Sequence, residues 1–474
     1  MIRNSINMVL GAVMLTMLLI TGSCSSTPRE NVLKVYNWGD YIDEELLDEF
    51  ETWYEEQTGE SVEVIYQTFD INEVMLAKVD KGKADFDVVC PSEYIIERML
   101  RNNMLLPITP PEFIDELNTK GINYFDCISP YIKEQFGLLD APQNIDPNDY
   151  AVGYMWGTTG ILYNTKYVDI EDKNTMSWGL MFDKRLRNKI FVKDAFRDVY
   201  SPMLIYAKTL EARANGDIAE DEILSIEQIR ELMYDSSDKS IALVESYLKD
   251  MKELVAGWEA DFGKEMMAKE KAWINLMWSG DAVWAIEEAA VNDVSLDYAV
   301  PAEGSVVWFD GWVIPKYAEN IRAARYFINY MCMPDNAIRN MNETGYISVV
   351  GTEEVMEAMS DDSCECSDLS YFFCYGDGTP IEGSDSLRIN DVMYPDRSII
   401  DRCGVMHDSG DKTEQMLEMW SRVKGDNLSP GMVIFITIFF VTFITIAIMR
   451  RITRLRRNRR MQKRRHKQSE QHTK

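Results

Sequence analysis

The sequence predicts an α/β protein of two lobes with a ligand cleft between them, followed by a single C-terminal transmembrane helix. Three observations carry this. From residue 31 onward, strand-like and helix-like segments alternate. The stretch between the two chain ends is about 400 residues, more than one hydrophobic core usually organises. Residues 430–449, PGMVIFITIFFVTFITIAIM, form an uncharged run, long enough to cross a hydrocarbon layer of roughly 30 Å.

The alternation reads segment by segment. LKVYNW is a strand, and DEELLDEFETWYEEQTG a helix closed by Gly59. SVEVIYQTF is a second strand, and INEVMLAKVDKG a helix closed by Gly82. DFDVVC is a buried strand leading into the helix SEYIIERMLRNN. Strand and helix in turn imply a parallel sheet, whose ligands sit beyond the carboxyl ends of the strands. The turns NWGDY and CPSEY occupy that position, which puts Trp38, Tyr41, Ser92 and Tyr94 on one rim.

The chain ends give the compartment. Residues 1–23 carry an early arginine, an apolar core and small residues, the order of a secretory signal. TGSC resembles a bacterial lipoprotein processing site, which would make Cys24 the lipidated first residue of the mature chain. An ordinary signal peptide beside a chance cysteine is the plainer alternative. Beyond the apolar run, residues 450–474 hold 12 Lys/Arg and one Glu. Basic residues next to a span mark its cytoplasmic side, so the tail is expected inside and residues 25–429 outside.

The basic tail contributes +11 to a total of −29, leaving −40 on the rest of the chain. A domain this acidic repels nucleic acid and anionic substrates and concentrates cations, although acidity also serves solubility alone. Of eight cysteines, seven lie in the exported part. Cys364, Cys366 and Cys374 cluster without the paired spacing or nearby histidines of a zinc site, so disulfides or free thiols are the expectation for these and for Cys403. No metal and no cofactor is expected.

The residues carry a resemblance. VYNWGDYID, ADFDVVCPSEYIIERM, YMWGTTGILYN, IFVKDAFRDVYSPML, INLMWSG, VVWFDGWVIP and NETGYISV occur in the order found in the spermidine/putrescine-binding proteins of ABC importers. The resemblance implies a type II-like periplasmic-binding-protein fold: lobe 1 over 31–150 with a return segment about 312–350, and lobe 2 over 151–311 with a segment about 351–424. It implies a polyamine ligand, permease subunits with their ATPase as partners, and no catalytic activity. Asp310 is the implied ammonium partner, Trp308 and Trp278 the aromatic walls, and Tyr346 part of the lining.

Within KDAFRDVY, Asp198 matches an acidic family position and Asp194 falls beside another. Their spacing of four places both on one helical face or at a helix start. Chemistry agrees with these assignments, because a polyamine needs carboxylates for its ammonium groups and rings along its methylenes.

Each residue also has an ordinary alternative: tryptophans belong to cores, aspartates to caps and surfaces, and tyrosines to lobe packing. A receptor of the same fold for another cationic or polar solute, and an exported hydrolase with paired carboxylates, are the competing functions. The second lacks a GxSxG turn, and two of its three histidines lie in the basic tail. Three departures from the family stand out: Gly39 where many relatives carry Thr or another hydrogen-bonding side chain, the long acidic segment 351–396, and the C-terminal span.

Overall fold

The computed structural model describes residues 27–80, 85–260 and 262–425. The signal segment, Cys24, Gly82, the run 430–449 and the basic tail lie outside the described residues. Among the described residues no helix is long and apolar enough to cross a membrane. The described residues up to Met416 form one compact unit; of the second, from Leu417 on, the structure describes the end of the helix Thr413–Gly425.

Strand β1 (Val32–Trp38) is buried along most of its length, as expected for a strand covered on both faces. It pairs in parallel with β2 (Glu63–Phe69) and β3 (Val88–Val89). The intervening helix Glu45–Thr58 buries Leu46, Leu47, Phe50 and Tyr54. It ends at Gly59, whose φ of 75° supplies the left-handed cap and returns its N–H to the Glu55 carbonyl. These elements follow the predicted alternation, although the third strand shrinks to two residues. Helix Glu93–Arg101 then follows, with Ser92 at its N-cap position.

Two long strands form the middle of the sheet. β5 (Ala151–Asn164) is buried over all 14 residues, and β10 (Ser305–Pro315) over all 11. Their register runs from Val307↔Thr158 to Val313↔Ala151, with a shift between Asp310 and Gly311. Beyond that shared stretch β5 continues against β8 (Ile274–Trp278) and β9 (Leu296–Ala299). β8 pairs in parallel with β6 (Ile190–Lys193), and β6 with β7 (Val255–Glu259). The order β2-β1-β3-β10-β5-β8-β6-β7 is therefore continuous, and the two-residue β4 (Leu105–Leu106) pairs with the end of β10 off this path.

This corrects the purely parallel expectation. The outer groups are parallel, but β5 and β10 run antiparallel through the centre. The division expected at residue 311 falls inside β10, so one strand serves both sides of it.

The acidic segment 351–396 is anchored rather than appended. It contains the helix Glu353–Met359 and a short pairing of Cys366–Ser367 with Leu387–Arg388. Its Leu369, Phe372, Phe373 and Tyr394 are buried, with Phe372 and Trp156 ring centres 5.3 Å apart. The seven described cysteines are all free thiols.

β5 carries a glycine one residue before its pairing with β9, for a steric reason. A Cβ at Gly160 would stand 2.5 Å from the Ala299 carbonyl oxygen and 2.6 Å from the Tyr298 ring. Gly160→Ala is expected to lower unfolding stability by about 1–3 kcal/mol, the usual cost of overpacking; urea denaturation followed by tryptophan fluorescence checks this.

Candidate functional site

The register shift in β10 sets Asp310. A bulge re-aims one side chain and frees backbone groups, and here the Gly311 N–H turns to the Pro91 carbonyl at 3.0 Å. The same displacement draws Ser92 and Asp310 into an isolated antiparallel bridge. Asp310 is 6% exposed. Ser92 donates to its Oδ1 at 2.6 Å and Tyr41 to its Oδ2 at 2.9 Å. Both donors are neutral, and among the described residues no cation hydrogen-bonds this carboxylate.

Burial pushes the Asp310 carboxyl up to about 7; the Ser92 and Tyr41 hydrogen bonds oppose the rise, and the nearby Asp198 adds to it. Asp198 lies in the first turn of the helix Phe196–Asn215. Burial raises its carboxyl to about 6, against a 2.9 Å hydrogen bond from the Trp278 indole and the field of Lys193. Two acids that repel each other through a low dielectric, each solvated by neutral donors, attract cations. Beneath them Glu93 is fully buried. Its Oε2 accepts the Phe309 N–H at 3.0 Å, and desolvation moves its carboxyl well up.

Aromatic rings surround the acids. Tyr346 stands edge-on to Tyr41 at 5.0 Å between centres and to Trp308 at 5.6 Å. Small residues make the approach possible: a Cβ at Gly280 would stand 2.3 Å from the Tyr346 ring, and one at Gly157 2.6 Å from Trp308. The Trp308 indole nitrogen is buried without a hydrogen-bond partner. Tyr94 joins through Asn72, whose amide donates to the Tyr94 hydroxyl and to Ser92 Oγ, both at 2.9 Å. The Arg197 guanidinium covers the Tyr94 ring at 4.3 Å.

The structure thus gathers Tyr41, Ser92, Tyr94, Asp198, Trp278, Trp308, Asp310 and Tyr346 into one connected group. Trp38 stands at its edge: its ring packs on Phe69 at 4.5 Å, and its carbonyl accepts from Tyr66 at 3.3 Å. Asp194 is not on the helical face of Asp198, because the helix begins at Phe196 and Asp194 lies in the turn after β6. Its N–H goes to the Glu259 carbonyl at 2.7 Å. Gly39 is exposed, and a Cβ there would meet only Asp70 Oδ1 at 4.0 Å, so nothing steric demands glycine.

Sequence reasoning missed Asn72, Glu93, Lys193 and Asp281. The last two had a signal, since Lys193 precedes Asp194 and Asp281 lies three residues after Trp278. Among the described residues no group of three or more His, Cys, Asp or Glu is arranged to hold a metal ion. A cavity of about 770 Å³, lined by Tyr131, Tyr371 and His407 among others, includes none of the acid–aromatic group.

The chain is 26% identical over 329 residues to the spermidine/putrescine-binding periplasmic protein of Escherichia coli, covering 68% of this chain and 79% of that one. It is 25% identical over 407 residues to a putrescine-binding periplasmic protein of Pseudomonas aeruginosa, covering 83% and 92%. A solved spermidine/putrescine ABC transporter substrate-binding protein from Streptococcus pneumoniae superposes with a TM-score of 0.56 at 26% identity, over 83% of this chain and 98% of that one. The family model described as bacterial extracellular solute-binding protein matches residues 45–362. The chain belongs to the bacterial extracellular solute-binding protein family.

Proposed function

We propose that this chain is the extracytoplasmic binding component of an ABC importer, capturing polyamines of the spermidine/putrescine kind and delivering them to a membrane permease. The observation that carries the proposal is Asp310: a buried carboxylate whose hydrogen-bond donors among the described residues are two hydroxyls, beside a second buried acid and among aromatic rings. An ammonium group supplies the charge both acids lack, and rings cover the methylene stem. The names of the relatives across two thirds of the chain support the same ligand class.

In this proposal the ligand contacts are Trp38, Tyr41, Ser92, Tyr94, Asp194, Asp198, Trp278, Trp308, Asp310 and Tyr346. The lobes are 31–150 with 312–350, and 151–311 with 351–424, sharing β5 and β10. Ligand touching both lobes favours their closed arrangement through its differential contacts. A lipid at Cys24 and a span at 430–449 would hold the receptor beside its permease at high effective concentration. The support for that tether is the uncharged run and the adjoining basic tail.

Three outcomes follow. In calorimetric titration, Asp310→Ala should weaken putrescine and spermidine binding by about 100-fold, since an ammonium loses its charged partner; unchanged affinity would sink the site assignment. The pH dependence has a definite sign. Asp310 and Asp198 hold protons more tightly than in an unfolded chain, where carboxylates titrate near about 4. Their contribution to the stability of the empty protein is full below that pH and is lost as pH rises through about 6 and about 7.

A cation needs both groups ionised, so affinity should rise at least about tenfold between pH 5 and pH 8, with proton release on binding at pH 6. Titrations in buffers of different ionisation enthalpy read that release. Finally, deleting residues 430–474 should reduce uptake at limiting polyamine while leaving the affinity of the purified protein unchanged. Uptake equal to that of the intact chain would count against the tether.

A further inference from the structure

A basic side chain stands among the acids and rings. Lys193 ends β6 with its ammonium 1% exposed. It donates to Asp281 Oδ2 at 2.5 Å and to the Ala260 carbonyl at 3.0 Å, and lies 3.6 Å from Glu259. The same ammonium is 4.4 Å from the centre of the Trp278 ring. Tyr346 donates to the other oxygen of Asp281 at 2.9 Å.

Burying an ammonium is costly unless acceptors replace its water, and here two carboxylates, a carbonyl and an aromatic face do so. The lysine side chain is itself a butylammonium group, so this arrangement is by its chemistry a receptor for an alkylammonium ion. Trp278 and Tyr346 belong to it and also to the acid–aromatic group, since Trp278 donates to Asp198 and Tyr346 packs on Tyr41 and Trp308. The subsite is thus continuous with the proposed ligand site.

Charge then separates two kinds of acid. Asp281 is pushed up by burial but held below the ordinary carboxylate range by Lys193 and Lys264, so it is ionised and paired. Asp198 and Asp310 accept hydrogen bonds from Trp278, Ser92 and Tyr41, which carry no charge.

We propose that Lys193 fills an ammonium subsite with the protein's own cation, leaving Asp310 and Asp198 for the ligand, so that the receptor selects diamines over triamines. This rests on the polyamine reading of the site. A third ammonium finds its carboxylate and its ring already taken by Lys193, and meets that cation's repulsion besides. Lys193 is accordingly a specificity-determining residue.

The test is calorimetric titration of the full-length protein in detergent with 1,4-diaminobutane and with spermidine. The wild-type chain should bind the diamine at least about tenfold more tightly, the scale of one charged hydrogen bond. Lys193→Ala should move the ratio toward spermidine by about tenfold or more, and ethylamine should raise the melting temperature of that variant but not of the wild type. The double variant Lys193→Met, Asp281→Asn keeps the space filled and the pair neutral, and should keep the wild-type preference. A wild-type protein that binds spermidine as tightly as the diamine overturns the proposal while leaving the polyamine reading intact, as does a Lys193→Ala variant with an unchanged ratio. A wild-type protein that binds neither amine overturns the polyamine reading itself. Should Lys193→Ala fail to fold, the wild-type ratio and that of the double variant still decide.

Discussion

The site depends on one buried carboxylate, Asp310, held at a register shift between the two central strands. The shift lies next to Gly311, whose N–H leaves the ladder for Pro91, and the resulting bridge sets Ser92 against the carboxylate. Tyr41 completes the pair of donors from the far end of β1. A chain segment near residue 41, another near 92 and a third at 310 are therefore fixed by one side chain. Its desolvation is tolerated because two hydroxyls solvate it, and it stays receptive because neither is charged.

Around that group the protein uses the same physics twice, with opposite outcomes. Asp310 and Asp198 accept hydrogen bonds from neutral donors, and burial pushes their carboxyls up to about 7 and about 6. Asp281, a few residues beyond the indole that serves Asp198, is buried with Lys193 and stays ionised. The difference lies only in the partner each carboxylate meets. One side of this group therefore holds carboxylates met by neutral donors and the other a carboxylate paired with a lysine, and Trp278 touches both, donating to Asp198 and lying under the Lys193 ammonium.

Rigidity behind the site comes from β5 and β10, buried from end to end. Glycines in these strands and at the start of the helix Ser279–Val291 let Tyr298, Trp308 and Tyr346 close on the backbone, where any Cβ would collide with them. These aromatic rings are thus positioned by missing side chains as much as by packing. The segment 351–396 adds a buried aromatic layer against Trp156, which explains how an acidic, irregular stretch is held in place.

Composition and order of residues alone determined a good deal. The β1–β3 alternation, the αL stop at Gly59 and the placing of Tyr41, Ser92 and Tyr94 just beyond strand ends were legible, because period, capping and turn position are local properties of the chain, whereas Trp308, Asp310 and Tyr346 were pointed to by the family resemblance alone. What the sequence could not give is pairing direction, since β5 and β10 look equally apolar whether parallel or antiparallel. It also could not place Asp194, whose spacing from Asp198 suited a helix that begins only at Phe196. Lys193 and Asp281 are 88 residues apart and meet at 2.5 Å, and Asn72 reaches Ser92 from 20 residues upstream. Each of these is a contact between residues distant in sequence, and only the tertiary structure decides which acid keeps its charge and which is left to seek a cation.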